Sequence, residues 1–163
     1  MKKKSLLGKD TIITLFTKEE GKTVVVAKGI KKITSRRAPH LQTGNLINVI
    51  LSNFHERYYL QESQLISAFS TIKSKQQKID YQYLLFFVLD RLLPERQKEK
   101  EIYFLTKNFL VELSQKDFNK QRLLYYLNRL LSSLGYYKSE RSYPDVLSSI
   151  EEIIHEKIPS SII

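Results

Sequence analysis

Residues 11–28 read TIITLFTKEEGKTVVVAK, and this stretch decides the first half of the fold. Thr11 to Thr17 is rich in β-branched and aromatic residues, as a pleated half-buried strand requires. Lys18-Glu19-Glu20-Gly21 is a polar turn, with glycine where the chain needs a positive φ. Lys22 to Lys28 is a second strand, so residues 11–28 predict a β-hairpin. Beyond it, Gly29 to Gly44 lacks a clear period, contains Pro39 and reads as a loop. Further strands are predicted over 45–51, 57–62 and 64–69, with a turn at Ser52-Asn53. Several short strands joined by turns predict a small antiparallel β-barrel or meander. Phe16 is expected in its core. Tyr58 and Tyr59 are neighbours on one strand, so they point to opposite faces and only one can be core.

From Thr71 onward the apolar period lengthens to that of helices. Asp80 is placed to cap a helix that runs to Leu93 and stops at Pro94. Its centre, Tyr83 to Leu89, is apolar all round, as in a buried helix. A second helix is predicted from Lys98 to Ser114. A third starts near Asp117 with a stripe of Leu123, Leu127, Leu130, Leu131 and Leu134, and Gly135 ends it. A fourth starts near Pro144 with Leu147, Ile150 and Ile154 on one face. Lys73 to Lys78 is polar and marks the boundary, giving domains 1–72 and 73–163. The fold class expected is α+β, a small β-barrel followed by an all-helical domain.

Charge divides the chain at the same place. Residues 1–78 hold 15 basic and 5 acidic residues, and residues 79–163 hold 12 and 12, within totals of 27 and 17. The whole excess of +10 therefore lies in the first half. No acidic residue occurs between Glu20 and Glu56, while Lys22, Lys28, Lys31, Lys32, Arg36 and Arg37 crowd into sixteen positions. Such a cluster repels itself unless phosphates or solvent ions neutralise it. Phosphate contact is the reading favoured here, and a solvated basic surface is the alternative. Phe16, Phe54, Tyr58 and Tyr59 lie near enough in sequence to offer faces to bases.

Other chemistry has little support. The chain has no cysteine, which excludes disulfides, thiol nucleophiles and thiolate metal sites. His40, His55 and His155 are scattered, and no glycine-rich phosphate loop or His-Glu-x-x-His pattern occurs. Glu151 and His155 are spaced to pair on a helix surface. Asp90-Arg91 reads as an ion pair or cap. No enzyme, cofactor or metal is expected. Met1 to Lys4 is basic, but the apolar run after it breaks after Leu7, too short for a signal peptide. The longest apolar run, Leu84 to Leu89, falls far short of a membrane span. A cytoplasmic protein without membrane contact is expected.

Several segments together resemble the bacterial RecO family. They are Gly8 to Thr17, Glu19, Gly21-Lys22, Val26-Ala27-Lys28-Gly29, Lys31-Lys32 and Ser35-Arg36, with the same spacing over about thirty residues. Leu41 to Leu46 and Tyr83 to Glu95 are similar to later family segments. The match beyond about residue 100 is only a compatible helical pattern. The resemblance implies an N-terminal oligonucleotide/oligosaccharide-binding (OB) fold and a helical partner-binding domain. It implies a non-catalytic DNA repair and recombination mediator. Such a protein binds single- and double-stranded DNA and anneals strands. It works with a RecR-like protein to load recombinase on DNA coated by single-strand-binding protein (SSB).

On that reading Lys22, Lys28, Lys31, Lys32, Arg36 and Arg37 neutralise phosphates, and Tyr58 or Tyr59 stacks on a base. The acidic C-terminal tail of SSB docks on the helical domain, where Lys107, Arg122 and Arg129 are candidates for a basic rim. The family often carries a four-cysteine zinc module, which Tyr136 to Ser142 replaces here as a short loop. Lys9 stands where the family has Glu, and Thr11 often replaces an Arg, removing one expected cationic contact. The first family strand is either shortened to Ser5-Leu6-Leu7 or missing because the true start lies upstream. The alternatives are a protein–protein adaptor that has lost DNA binding and an RNA-binding OB protein.

Overall fold

The computed structural model describes the strand Lys3–Ser5 and residues 10–30 and 37–163. The chain is α+β: five strands come first and the helices follow. The strands are β1 (Lys3–Ser5), β2 (Thr11–Thr17), β3 (Gly21–Ala27), β4 (Leu46–Phe54) and β5 (Arg57–Ser67). They form one sheet in the order β1-β2-β3-β5-β4. The predicted hairpin is present, with Thr11 opposite Ala27 and Thr17 opposite Gly21. The first strand is Lys3–Ser5, with Lys4 pairing with Ile12, and of the expected Ser5-Leu6-Leu7 the last two lie outside the described residues.

Three expectations are corrected. The sheet is not wholly antiparallel, because β3 and β5 run parallel through Val25–Tyr58 and Val26–Tyr59. A long connection carrying β4 separates them, which is what a parallel pair requires. The two strands predicted over 57–69 are one, since β-bulges between Leu46/Ile47 and Ile50/Leu51 absorb the irregular pattern. Phe16 is not core. Ile13, Val25, Ala27, Ile30, Leu41 and Leu60 form the buried cluster, with Leu15, Val49, Leu51 and Tyr58 against it. Alternation along β2 then sends Phe16 to the opposite face.

The chain divides into two compact units. One comprises residues up to Phe69 together with Pro94–Lys98, and the other comprises Ser70–Leu93 and Glu99–Ile163. The short segment Pro94–Lys98 lies along β3: Glu95 bridges Lys22 in parallel, and the Arg96 amide donates to the Lys22 carbonyl at 2.8 Å. Only glycine fits beneath it, since a Cβ on Gly21 would sit 1.8 Å from the Gln97 carbonyl oxygen.

The helices are α1 (Ser70–Lys73), α2 (Gln76–Leu92), α3 (Lys100–Ser114), α4 (Lys120–Ser133) and α5 (Tyr143–Ile154). Asp80 lies inside α2 and accepts from the Gln76 side chain at 2.7 Å, so the helix starts one turn earlier than predicted. The cap of α4 is Asn119, whose side chain accepts from the Arg122 amide. Gly135 (φ +82°) ends α4, with the Gly135 amide on the Ser132 carbonyl and the Tyr136 amide on the Leu131 carbonyl. These paired bonds satisfy carbonyls that the helix end leaves open. Leu84, Leu89, Ile102, Phe109, Leu123, Leu127, Leu131 and Ile150 fill the core of this unit. No helix among the described residues is long and apolar enough to cross a membrane.

Candidate nucleic-acid interface

With Thr23, Val25 and Ala27 buried, strand alternation places Lys22, Val24 and Val26 on the other face of β3. The β2 partners there are Phe16 opposite Lys22, Thr14 opposite Val24 and Ile12 opposite Val26. Tyr59 joins that face beside Val26, and Ser52 lies across from Tyr59 on β4. The result is a strip of apolar and aromatic groups with lysines at its ends. Beyond the end of β3, the Lys28 ammonium sits 4.9 Å from the centre of the Tyr59 ring. That cation–π contact holds an exposed charge over an aromatic face.

The two tyrosines part company as alternation requires. Both are half-buried, but Tyr58 belongs to the core side. Its hydroxyl donates to a Glu20 carboxylate oxygen at 3.2 Å, and the Arg96 guanidinium lies 5.3 Å from its ring centre. Arg96 also donates to the Glu56 carbonyl. Sequence reading missed Arg96 because its place depends on Pro94–Lys98 returning to the sheet across some forty residues.

Arg37 is held differently from the other candidates. One guanidinium nitrogen donates to the Leu60 and Gln61 carbonyls at 3.2 Å each, and another to the Lys28 carbonyl at 3.0 Å. Beyond Val26 and Tyr59 the parallel ladder ends, and Arg37 bridges the gap. The start of the same loop is tied by Asp10, which accepts from the Gly29 amide at 2.9 Å. Asp10 and Arg37 thus fix both ends of the segment that carries the basic cluster. Lys31, Lys32 and Arg36 lie outside the described residues.

The three cations named in the helical unit do not form one cluster. Lys107 is exposed on α3. Arg122 on α4 donates to Glu112 at 3.0 Å through Nε and lies over the Tyr125 ring at 5.4 Å. Arg129, two turns further on, is 4.0 Å from Glu101. Burial works to raise the Glu112 pKa, but hydrogen bonds from Arg122 and Tyr126 overcome it and hold it below the usual value. Burial first, then Glu112, pushes the Tyr126 phenol up. Phe104, Val111 and Tyr125 are exposed on the same two helices.

Glu151 pairs with Lys157 at 2.6 Å and accepts from the Ile158 amide, so His155 is not its partner. His155 instead takes the left-handed conformation at the end of α5. The Asp90–Arg91 pair is present at 2.9 Å, and Arg91 also binds Glu156. No group of three His, Cys, Asp or Glu side chains that could hold a metal gathers among the described residues. The segment Tyr136 to Ser142 is tied down by Asn128, which is buried on α4. Asn128 accepts from the Tyr137 hydroxyl (3.1 Å) and the Arg141 amide (2.9 Å), and donates to the Arg141 carbonyl (3.0 Å). The Arg141 guanidinium stacks on Tyr137 at 4.4 Å and donates to Ser149 at 2.6 Å. These residues satisfy one another and do not suit zinc.

The strand order, the lysine- and tyrosine-bearing sheet face, and the helices that follow in sequence define a two-part α+β class of protein. Residues 1–69 match the family model for the recombination protein O N terminal. The chain is 29% identical over 137 residues to the DNA repair protein RecO of Caldanaerobacter subterraneus subsp. tengcongensis, covering 83% of this chain and 56% of that protein. It is 29% identical over 136 residues to that of a Thermoanaerobacter species (82% and 55%), and 28% identical over 128 residues to that of Symbiobacterium thermophilum (78% and 51%). The RecO resemblance read from the sequence is therefore borne out. The chain spans about half the length of the curated relatives it matches.

Proposed function

We propose that this chain is a non-catalytic DNA repair and recombination mediator whose sheet unit is an OB-type DNA-binding module. The observation that carries the reading is the face built by Lys22, Val24, Val26, Lys28 and Tyr59, with Lys28 poised over Tyr59. It lies on a sheet whose order β1-β2-β3-β5-β4, with β3 and β5 parallel, supports an OB-type reading. The strand-2 and strand-3 face is where such folds bind oligonucleotides. Lys22, Lys28, Lys31, Lys32 and Arg36 neutralise phosphates without reading sequence, and Tyr59 stacks on a base. Arg37 organises that surface from behind. Annealing follows from charge neutralisation of two strands held together.

The helical unit serves as the partner-binding domain, on the division 1–72 and 73–163. Phe104 and Val111 on α3 and Tyr125 on α4 are exposed and offer apolar contacts, and Lys107, Arg122 and Arg129 separate basic ones, for an acidic, aromatic-ended tail such as that of SSB. A RecR-like protein is the other partner.

The test is fluorescence anisotropy with a labelled single strand across a salt series. It compares the wild type with a variant carrying Lys28, Lys31, Lys32 and Arg36 changed to Gln. For about four phosphate contacts, log K falls against log salt with a slope of about −3, and the slope flattens in the variant. A folded wild type that binds neither single strand nor duplex at low salt refutes the reading and leaves an adaptor role.

A further inference from the structure

The sheet face described above does not stop at Tyr59. Ser52 pairs with Tyr59, and Phe54 pairs with Arg57 at the end of the β4–β5 hairpin. Positions two apart on a strand share a face, so Phe54, Arg57 and Tyr59 stand on the same side of the sheet. Phe54 is 63% exposed, more than any other large hydrophobic side chain among the described residues. A single exposed apolar residue needs no explanation by itself. Here the backbone that presents it adds a second observation.

The turn after Phe54 is made by His55 (φ +46°) and Glu56 (φ +60°). Tight hairpins that need two left-handed residues ordinarily use Asn-Gly or Asp-Gly, which bear that conformation at little cost. Two side-chain-bearing residues keep it here, and Arg96 braces the turn by donating to the Glu56 carbonyl. The His55 ring packs edge-on to Phe54 with centroids 4.1 Å apart, fixing the direction of the phenyl ring. Retained strain supported from outside marks positions where geometry serves a ligand.

We infer that Phe54 is a second base-stacking platform, so that Tyr59 and Phe54 together receive two bases of one unpaired nucleic-acid strand. The inference rests on the DNA-binding reading of the same sheet. Phe54 is two residues along and one strand across from Tyr59, a backbone separation of roughly 8 Å from strand geometry. Neighbouring bases of an extended strand reach both rings, whereas paired and stacked bases of a duplex offer neither face. Glu56 offsets Arg57 at the tip, so the attraction there comes from the ring and not from net charge.

The test uses two variants of the full chain. Wild-type protein has no tryptophan, so Phe54→Trp introduces a single indole reporter. Saturating oligo(dT) is expected to quench its emission by stacking. Phe54→Ala is expected to weaken oligo(dT) binding by roughly 5- to 100-fold, the range of one stacked base. The salt slope and the affinity for a short duplex stay unchanged, because no phosphate contact is removed. The site is exposed, and far-UV circular dichroism verifies that both variants are folded. If the wild type binds oligo(dT) but the indole emission and the Phe54→Ala affinity do not change, the inference is overturned and the DNA-binding reading survives. If the folded wild type binds no strand, both fall together.

Discussion

The two units treat their cations differently. In the helical unit three arginines meet carboxylates: Arg91 meets Asp90 and Glu156, Arg122 meets Glu112, and Arg129 meets Glu101, while Arg141 stacks on Tyr137. In the sheet unit Lys28 and Arg96 lie over tyrosine rings, and Arg37 spends its donors on backbone carbonyls. The first arrangement neutralises charge locally, in a unit whose balance is only +2. The second orients charge without cancelling it, in the unit that carries +8 of the excess of +10. An uncancelled, oriented charge is what a polyanion can use.

The largest expected effect tests whether the helical unit is held by its own polar groups. Asn128→Leu strips partners from the Arg141 amide and carbonyl and from the Tyr137 hydroxyl. It should cost about 2–4 kcal/mol, read as a fall in melting temperature. A neutral outcome would mean that the 136–142 segment is held by something else.

Arg37→Met comes next and sharpens the contrast within the sheet unit. Three carbonyls lose a donor, but water reaches part of the site, so the expected destabilisation is about 1–2 kcal/mol in urea unfolding. Arg37→Lys should not restore it, since an ammonium cannot reproduce the planar fork. If Arg37 instead contacted a phosphate, stability would hold and the salt slope would shrink by about 0.7.

A smaller effect belongs to Glu112. Its carboxyl is held low in the folded state, so its contribution is present above the unfolded value and is lost as pH falls through the folded one. Melting temperature followed from pH 7 downward should therefore drop less steeply for Glu112→Gln than for the wild type. The smallest expected effect is none: a chelator should leave the melting temperature of the wild type unchanged. A fall would show a metal acting where Asn128 is assigned the role.

The parts that were legible in the sequence are those with a local cause. The hairpin of residues 11–28 announces itself through β-branched residues and a glycine turn, and α4 through its leucine stripe. Alternation alone does not fix which face is buried, and so Phe16 was misplaced by one step of phase. The polar run Gln61-Glu62-Ser63 resembles a turn but lies within β5, where a bulge accommodates it. The parallel pairing of β3 with β5 depends on a distant partner and has no local signature. Charge counting singles out the basic cluster, yet it cannot separate a guanidinium aimed at phosphates from one aimed at carbonyls. Arg37 is the case in point.

The return of Pro94–Lys98 to β3 has a consequence for biosynthesis. The sheet unit is not contiguous in the chain: Gly21 and Lys22 wait for Glu95, Arg96 and Gln97. During translation the first 69 residues emerge well before the piece that covers Gly21 and braces the Glu56 turn. The nascent sheet must persist with that edge open until α2 has been made. A chain cut after Phe69 therefore lacks part of its own sheet unit, and separate expression of the two halves should return a less protected β3 than the intact chain, visible in amide exchange at Lys22 to Val24.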